Sequence, residues 1–302
     1  MSEKGESTIF SRHTKRADGI MGYGSDSDQN PSEHYPSVTV EGEERAREIA
    51  RSSFKDLVEQ SDVDSILFIG GASEEQRTKE TAEIIGDELA NEYQENEEVL
   101  VFTKEKINEL VKQAKHDKVS IFKSIESLIR DNPDKKIVFT FPFYLKEFSL
   151  RPHHRQKETG NHTDYILEIL KKTGYDEKAA TLEWFKNEGR IETENGQVLE
   201  VPSPQQTAET HIAGINRLRE FADKFTQGRP VNIGMVGHGW QLDALALYLA
   251  NKGKVDAESF ERIFGNQIIQ QPEVGSVRLQ EDETIFDYKG NIYKLPKEIL
   301  AK

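Results

Sequence analysis

Thr8-Ile9-Phe10-Ser11-Arg12-His13 is a short apolar run that ends on two basic side chains, and the rest of the chain can be read outward from it. Four more runs of the same kind occur: Ser65 to Ile69, Val99 to Thr103, Ile137 to Phe141 and Asn232 to Val236. Short, continuous apolar runs bounded by turn residues read as buried strands. Helical patterns lie between them. Over Glu43 to Glu59, for example, Ala46, Ile49, Ala50, Phe54, Leu57 and Val58 recur on one face at i, i+3, i+4 spacing. Strand and helix in alternation predict an α/β fold, with three layers α/β/α around a mostly parallel central sheet.

The chain of 302 residues is long enough for one large domain or two ordinary ones. We read residues 1–302 as one domain carrying a helical insertion at about 117–201, where Asp164 to Thr173 and Glu177 to Asn187 show further helical patterns. Two stretches are irregular. Asp18 to Pro36 is rich in Gly, Ser, Asp and Asn, and Lys146 to His162 holds Arg151, Pro152, His153, His154 and Arg155. Both are long for loops in a compact domain, which makes them functional covers or disordered segments.

Composition removes several classes of function. A formal net charge of −14 argues against nucleic-acid and anionic-membrane partners. No run approaches the roughly 18 apolar residues of a membrane span, and the first residues lack a secretory pattern, so a soluble, unprocessed protein is expected. Zero cysteines exclude disulfides, thiolate metal ligands and cysteine nucleophiles, and fit a cytoplasmic location. The available chemistry is that of His, Arg, carboxylates and hydroxyls.

In a parallel α/β sheet, ligands bind at the carboxyl ends of the strands. Arg12 and His13 follow the first strand; Ile66 to Ile69 leads through Gly70-Gly71-Ala72-Ser73 to a helix bearing Arg77; Asn232 to Val236 ends in Gly237-His238-Gly239. The glycines beside the last two strands would let a ligand approach the backbone. Two arginines and two histidines without cysteine form a poor metal site and a good cage for a phosphate dianion, because the guanidinium fork matches phosphate oxygens bidentately. One neutral histidine can attack phosphorus while the other, protonated, stabilises the equatorial oxygens. The adjacent pair His153 and His154, with His162 nearby, lacks the i, i+4 geometry that aims two rings at one ion. Trp240 and Tyr248 follow the last motif on a helical pattern where core packing is the default, with lining of the site the alternative for Trp240.

Taken together and in order, these features resemble the histidine phosphatase superfamily, also called phosphoglycerate mutase-like. Phe10-Ser11-Arg12-His13-Thr14-Lys15-Arg16 is similar to its opening strand and Arg-His-Gly. Ala72-Ser73, Arg77 and Thr81-Ala82 match the spacings of its Thr-Ser-x-x-x-Arg-Ala-x-x-Thr-Ala signature. Val38-Thr39 with Gly42 resembles its Leu-Thr-x-x-Gly turn, Glu209 with Arg217 its late helix, and Val231 to Gly239 its strand ending in His-Gly. The resemblance covers most of residues 7–115 and 205–280.

The resemblance implies a metal- and cofactor-independent phosphomonoester hydrolase, with His13 as the nucleophile that becomes phosphohistidine. It further implies that Arg12, Arg16, Arg77 and His238 hold the phosphate of a small phosphorylated substrate. In the commoner branch of the family the proton donor is a glutamate in a Leu-x-Glu stretch, which fits Ile107-Asn108-Glu109. Glu109 is therefore the expected acid, with Glu105 and Glu147 as alternates; the other branch's aspartate position is Gly239. Thr14 stands where the family has glycine. A phosphoglycerate-mutase-type phosphotransferase and a non-catalytic phosphate-binding or phosphoprotein-binding module are the competing readings, and the sequence leaves substrate identity and oligomeric state open.

Overall fold

The computed structural model describes residues 6–14, 30–72, 76–114, 117–148, 162–226, 228–265, 267–269, 274–279 and 283–300. Five strands, β1 (Ser7–Arg12), β2 (Ile66–Ala72), β3 (Val99–Phe102), β4 (Lys136–Leu145) and, after two short strands, β7 (Val231–Gly237), are the five apolar runs of the sequence. They run parallel in the order β1-β7-β2-β4-β3. Three antiparallel strands, β8 (Val274–Leu279), β9 (Thr284–Tyr288) and β10 (Asn291–Leu295), extend the sheet beyond β1. A separate hairpin pairs β5 (Arg190–Glu192) with β6 (Val198–Glu200).

Side chains alternate across the sheet and feed two buried clusters. Ile9, Leu67, Ile69, Val138 and Val236 join one cluster with residues of α1 (Val40–Ile49) and α3 (Gln76–Tyr93). Phe10, Ile66, Phe68, Phe139, Ile233 and Met235 join the other. Its helices include α5 (Lys118–Arg130), α8 (Pro204–Thr226), α9 (Gly239–Ala250) and α10 (Ala257–Phe264). The parallel register sets Phe68 opposite Phe139 and Phe102 opposite Phe139. Their rings stack 4.6 and 4.7 Å apart across three strands, within the favourable range for aromatic pairs.

The sequence-read helix Glu43 to Glu59 is α1, then a π-helical turn over Ala50–Phe54, then α2 (Lys55–Glu59). Thr39 caps α1, its hydroxyl accepting from the Gly42 amide at 2.9 Å. The family-like Thr-x-x-Gly turn is thus a helix N-cap. The π turn delivers Phe54 onto β7, where a Cβ on Gly234 would lie 2.1 Å from the ring. Arg47 pairs with Glu43 and Glu88, and Arg51 with Glu88, tying α1 and its continuation to α3.

Within the span 117–201 expected as an insertion, β4 is a strand of the main sheet between β2 and β3. Between β4 and α8 the described chain forms α6 (His162–Lys172), α7 (Glu177–Asn187) and the β5–β6 hairpin. Aromatic packing fixes α7: Trp184 stacks on Trp240 of α9 at 5.6 Å, and Phe185 on Phe260 of α10 at 4.6 Å. Trp240 is therefore core, as its pattern indicates. The remaining helix, α4 (Lys104–Gln113), comes directly after the edge strand β3 and has no buried residue.

Candidate active site

β1 and β7 are neighbours in parallel register, with Arg12 opposite Gly237. The His13 amide continues the ladder, donating to the Gly237 carbonyl at 3.0 Å. His13 and His238 consequently leave the sheet side by side. Their ring centroids lie 5.2 Å apart and the planes are inclined by 68°. Both residues are buried, at 4% exposure each.

The two rings are held differently. His13 Nδ1 lies 2.8 Å from the Thr14 carbonyl oxygen. A carbonyl only accepts, so Nδ1 carries the proton of the neutral ring and Nε2 carries its lone pair. His238 Nε2 meets the Thr78 hydroxyl at 3.2 Å. His238 is also the N-cap residue of α9, so the positive end of that helix opens beside it, a setting that favours an anion.

Thr14, the residue after His13, turns its side chain to α3: its amide and its hydroxyl both lie 3.3 Å from the Thr81 hydroxyl. Thr81 in turn donates to the Arg77 carbonyl at 2.8 Å. Arg77 occupies the first turn of α3, immediately before Thr78, the residue that touches His238. The strand ends thus bring His13, His238 and the Arg77 turn together.

Arg12 is 6% exposed and engaged by protein at both ends of its fork. Nη1 donates to the Ile269 carbonyl at 2.8 Å, and Nη2 donates to the Glu177 carboxylate. Gly239 makes room for it, since a Cβ there would stand 2.8 Å from Arg12 Cζ. In the second strand Gly70 serves packing in the same way, a Cβ there lying 3.0 Å from the Phe148 ring, whereas one on Gly71 would make ordinary contact with Tyr144 at 3.5 Å. For Gly70 and Gly239 the expectation of a ligand against the backbone is corrected, because protein side chains fill the space.

Two carboxylates that sequence reading missed adjoin Arg12. Glu177 begins α7. Asp243, buried within α9, accepts from the Ile269 amide at 2.7 Å. Burial pushes the Asp243 carboxyl up to about 8, against the opposing pull of that amide and of Arg12. Asp243 had a signal, a lone acid inside Leu242-Asp243-Ala244-Leu245. Glu177, at the start of a charged helix, had none.

Glu109 is the clearest correction. It is exposed on α4, next to β3 at the outer edge of the sheet. Four strand spacings of about 4.8 Å place that edge roughly 19 Å from β1. Glu105 is exposed on the same helix. Glu147, beyond β4, is paired with Arg217 of α8 through one carboxylate oxygen. Glu209 is exposed and accepts from Gln205. Arg16, Ser73, Arg151, His153, His154 and Arg155 lie outside the described residues, as does most of both irregular stretches. No group of three or more His, Cys, Asp or Glu that could hold a metal occurs among the described residues, nor among them is any helix long and apolar enough to cross a membrane.

No protein-family model matches the chain, and no curated protein matches it. Among solved structures, the chain is similar to phosphoglycerate mutase from Bacillus anthracis str. Sterne, with 14% identity over 99% of this chain and 97% of that one and a TM-score of 0.43. It is also similar to mycobacterial glucosyl-3-phosphoglycerate phosphatase in complex with VO3, with 12% identity over 94% and 98% and a TM-score of 0.42. The same phosphatase with inorganic phosphate gives 11% identity over 95% and 97%, and a TM-score of 0.40. At these identities and TM-scores the likeness assigns no activity, and the site's chemistry rests on its own residues.

Proposed function

We propose that the chain is a histidine phosphatase-like enzyme that hydrolyses phosphomonoesters through a phosphohistidine on His13. The observation that carries this reading is the His13–His238 pair at the ends of adjacent parallel strands, with the His13 ring oriented by the Thr14 carbonyl. Nε2 of His13 attacks phosphorus in line, and the N–P bond forms as the ester P–O bond breaks. His238 and Arg77 stabilise the equatorial oxygens, with Arg12 behind them; a preorganised cationic pocket of this kind supplies the largest share of such catalysis. Water then attacks the phosphohistidine and releases phosphate. The chemistry asks for no metal and no cofactor.

On the same reading the fold has three layers, supported by the two buried clusters on opposite faces of the sheet, and is one domain with an addition between β4 and α8. The lack of cysteine in the sequence suits a cytoplasmic setting.

Release of p-nitrophenol from its phosphate by wild type and by His13→Ala tests the function. Turnover in wild type that vanishes in the variant supports it, whereas equal background rates sink it. Transfer of label between phosphoglycerates without net release of phosphate would instead assign a mutase.

A further inference from the structure

Resting on the phosphohistidine reading, we propose that Glu177, delivered by α7, is the proton donor and acceptor of this site, parked on Arg12 when no phosphate is bound. Three features converge on it. Glu177 is the carboxylate in ion-pair contact with Arg12. Asp243, the other carboxyl near Arg12 among the described residues, is fully buried and held by the Ile269 amide, away from any leaving group that must reach solvent. The Glu177 side chain is 47% exposed, so it can exchange protons with water and face the part of a substrate that projects from the pocket.

The element that carries Glu177 is rigid. Trp184 and Phe185 stack on α9 and α10, Asp176 caps the helix by accepting from the Ala179 amide at 2.9 Å, and Trp184 Nε1 donates to the Pro202 carbonyl at 3.1 Å. Glu177 is thereby fixed on a packed helix, as a catalytic group must be to act repeatedly in one geometry.

An arriving phosphate takes the Arg12 Nη2 donor, so the carboxylate loses its cation and faces a dianion, which favours its protonated form. As His13 Nε2 forms its bond to phosphorus, the electron pair of the broken P–O bond passes to the ester oxygen, which takes the proton of Glu177 and departs as an alcohol. The carboxylate then accepts a proton from water while the water oxygen bonds to phosphorus; the N–P pair returns to the imidazole and inorganic phosphate leaves.

The test compares Glu177→Gln with wild type on phenyl phosphate, whose leaving oxygen needs a proton, and on p-nitrophenyl phosphate, whose leaving group departs readily without one. General acid catalysis contributes on the order of 10²- to 10⁴-fold. The expected result is a fall in kcat/KM, which reports the phosphoryl transfer to His13, of about 10²-fold or more on phenyl phosphate and of under tenfold on p-nitrophenyl phosphate, while kcat, which includes the shared attack of water, falls on both. Calorimetry should show inorganic phosphate bound at least as tightly by the variant, since the parked carboxylate no longer competes for Arg12. Equal falls in kcat/KM on both substrates, no change on either, or a rise on both would overturn the proposal while leaving the phosphohistidine reading intact. A wild type inert toward both substrates, or activity that survives His13→Ala, would overturn that reading and this one with it.

Discussion

The Arg12 guanidinium lies against the backbone of Gly239, so closely that a Cβ there would stand 2.8 Å from Cζ. The contact explains a glycine directly after His238 and makes it a handle on the proposed phosphate site. Gly239→Ala should push Arg12 out of its seat; displacements of about 1 Å in such groups cost around 10²-fold in rate. The expected outcome is a loss of that order in kcat/KM with an unchanged far-ultraviolet circular dichroism spectrum. Full activity in the variant would show that Arg12 is not needed where it sits.

Thr78 is the hydroxyl that meets His238 Nε2 at 3.2 Å. Thr78→Val keeps the shape of the buried residue and removes the hydrogen bond, a change worth about 1 kcal/mol. We expect stability in urea unfolding to fall by about that much and kcat/KM to fall roughly five- to tenfold. A loss as large as that of His238→Ala would mean that Thr78 does more than orient the ring.

Asp243 predicts a pH dependence of stability. Its carboxyl is pushed from 3.8 to about 8 by burial, so the folded chain keeps a proton that the unfolded chain releases. The stabilisation is fully present below about 4 and is lost progressively as pH rises toward 8. In Asp243→Asn this component disappears, and the difference in urea midpoint between variant and wild type should shift in the variant's favour from about pH 5 to about pH 8. A pH-independent difference would contradict the assignment.

Gly86 marks where α3 meets β4: a Cβ there would lie 1.8 Å from the Thr140 carbonyl oxygen. Backbone cannot yield as a side-chain tip can, and overpacking costs about 1–3 kcal/mol, occasionally more. Gly86→Ala should therefore lower stability by about 3 kcal/mol in equilibrium unfolding; a loss below 1 kcal/mol would mean the helix shifts freely.

Much of the fold was legible because the parallel strands are buried on both faces and so appear as unbroken apolar runs, Ile66 to Ile69 being one. Strands β8 to β10 were not, since Val274–Leu279 carries Gly275 and Arg278 and Asn291–Leu295 has an exposed face. Of the site, His13, His238 and the Arg77 turn come from strand ends, which sequence order alone locates. The carboxylates do not. Glu177 reaches Arg12 from 165 residues away through the packing of Trp184 and Phe185, a tertiary relationship without a local pattern. Glu109 illustrates the converse: a motif-like spacing on a helix whose parent strand lies at the far edge of the sheet.

The proposed function makes turnover depend on a covalent bond between phosphorus and His13. Wild type quenched in alkali during turnover of an aryl phosphate, digested and measured by mass spectrometry, should yield a phosphorylated peptide containing His13 whose label is stable to base and lost in acid. His13→Ala should yield none. Turnover without such an adduct, or with the adduct on another residue, would contradict a phosphohistidine mechanism at His13.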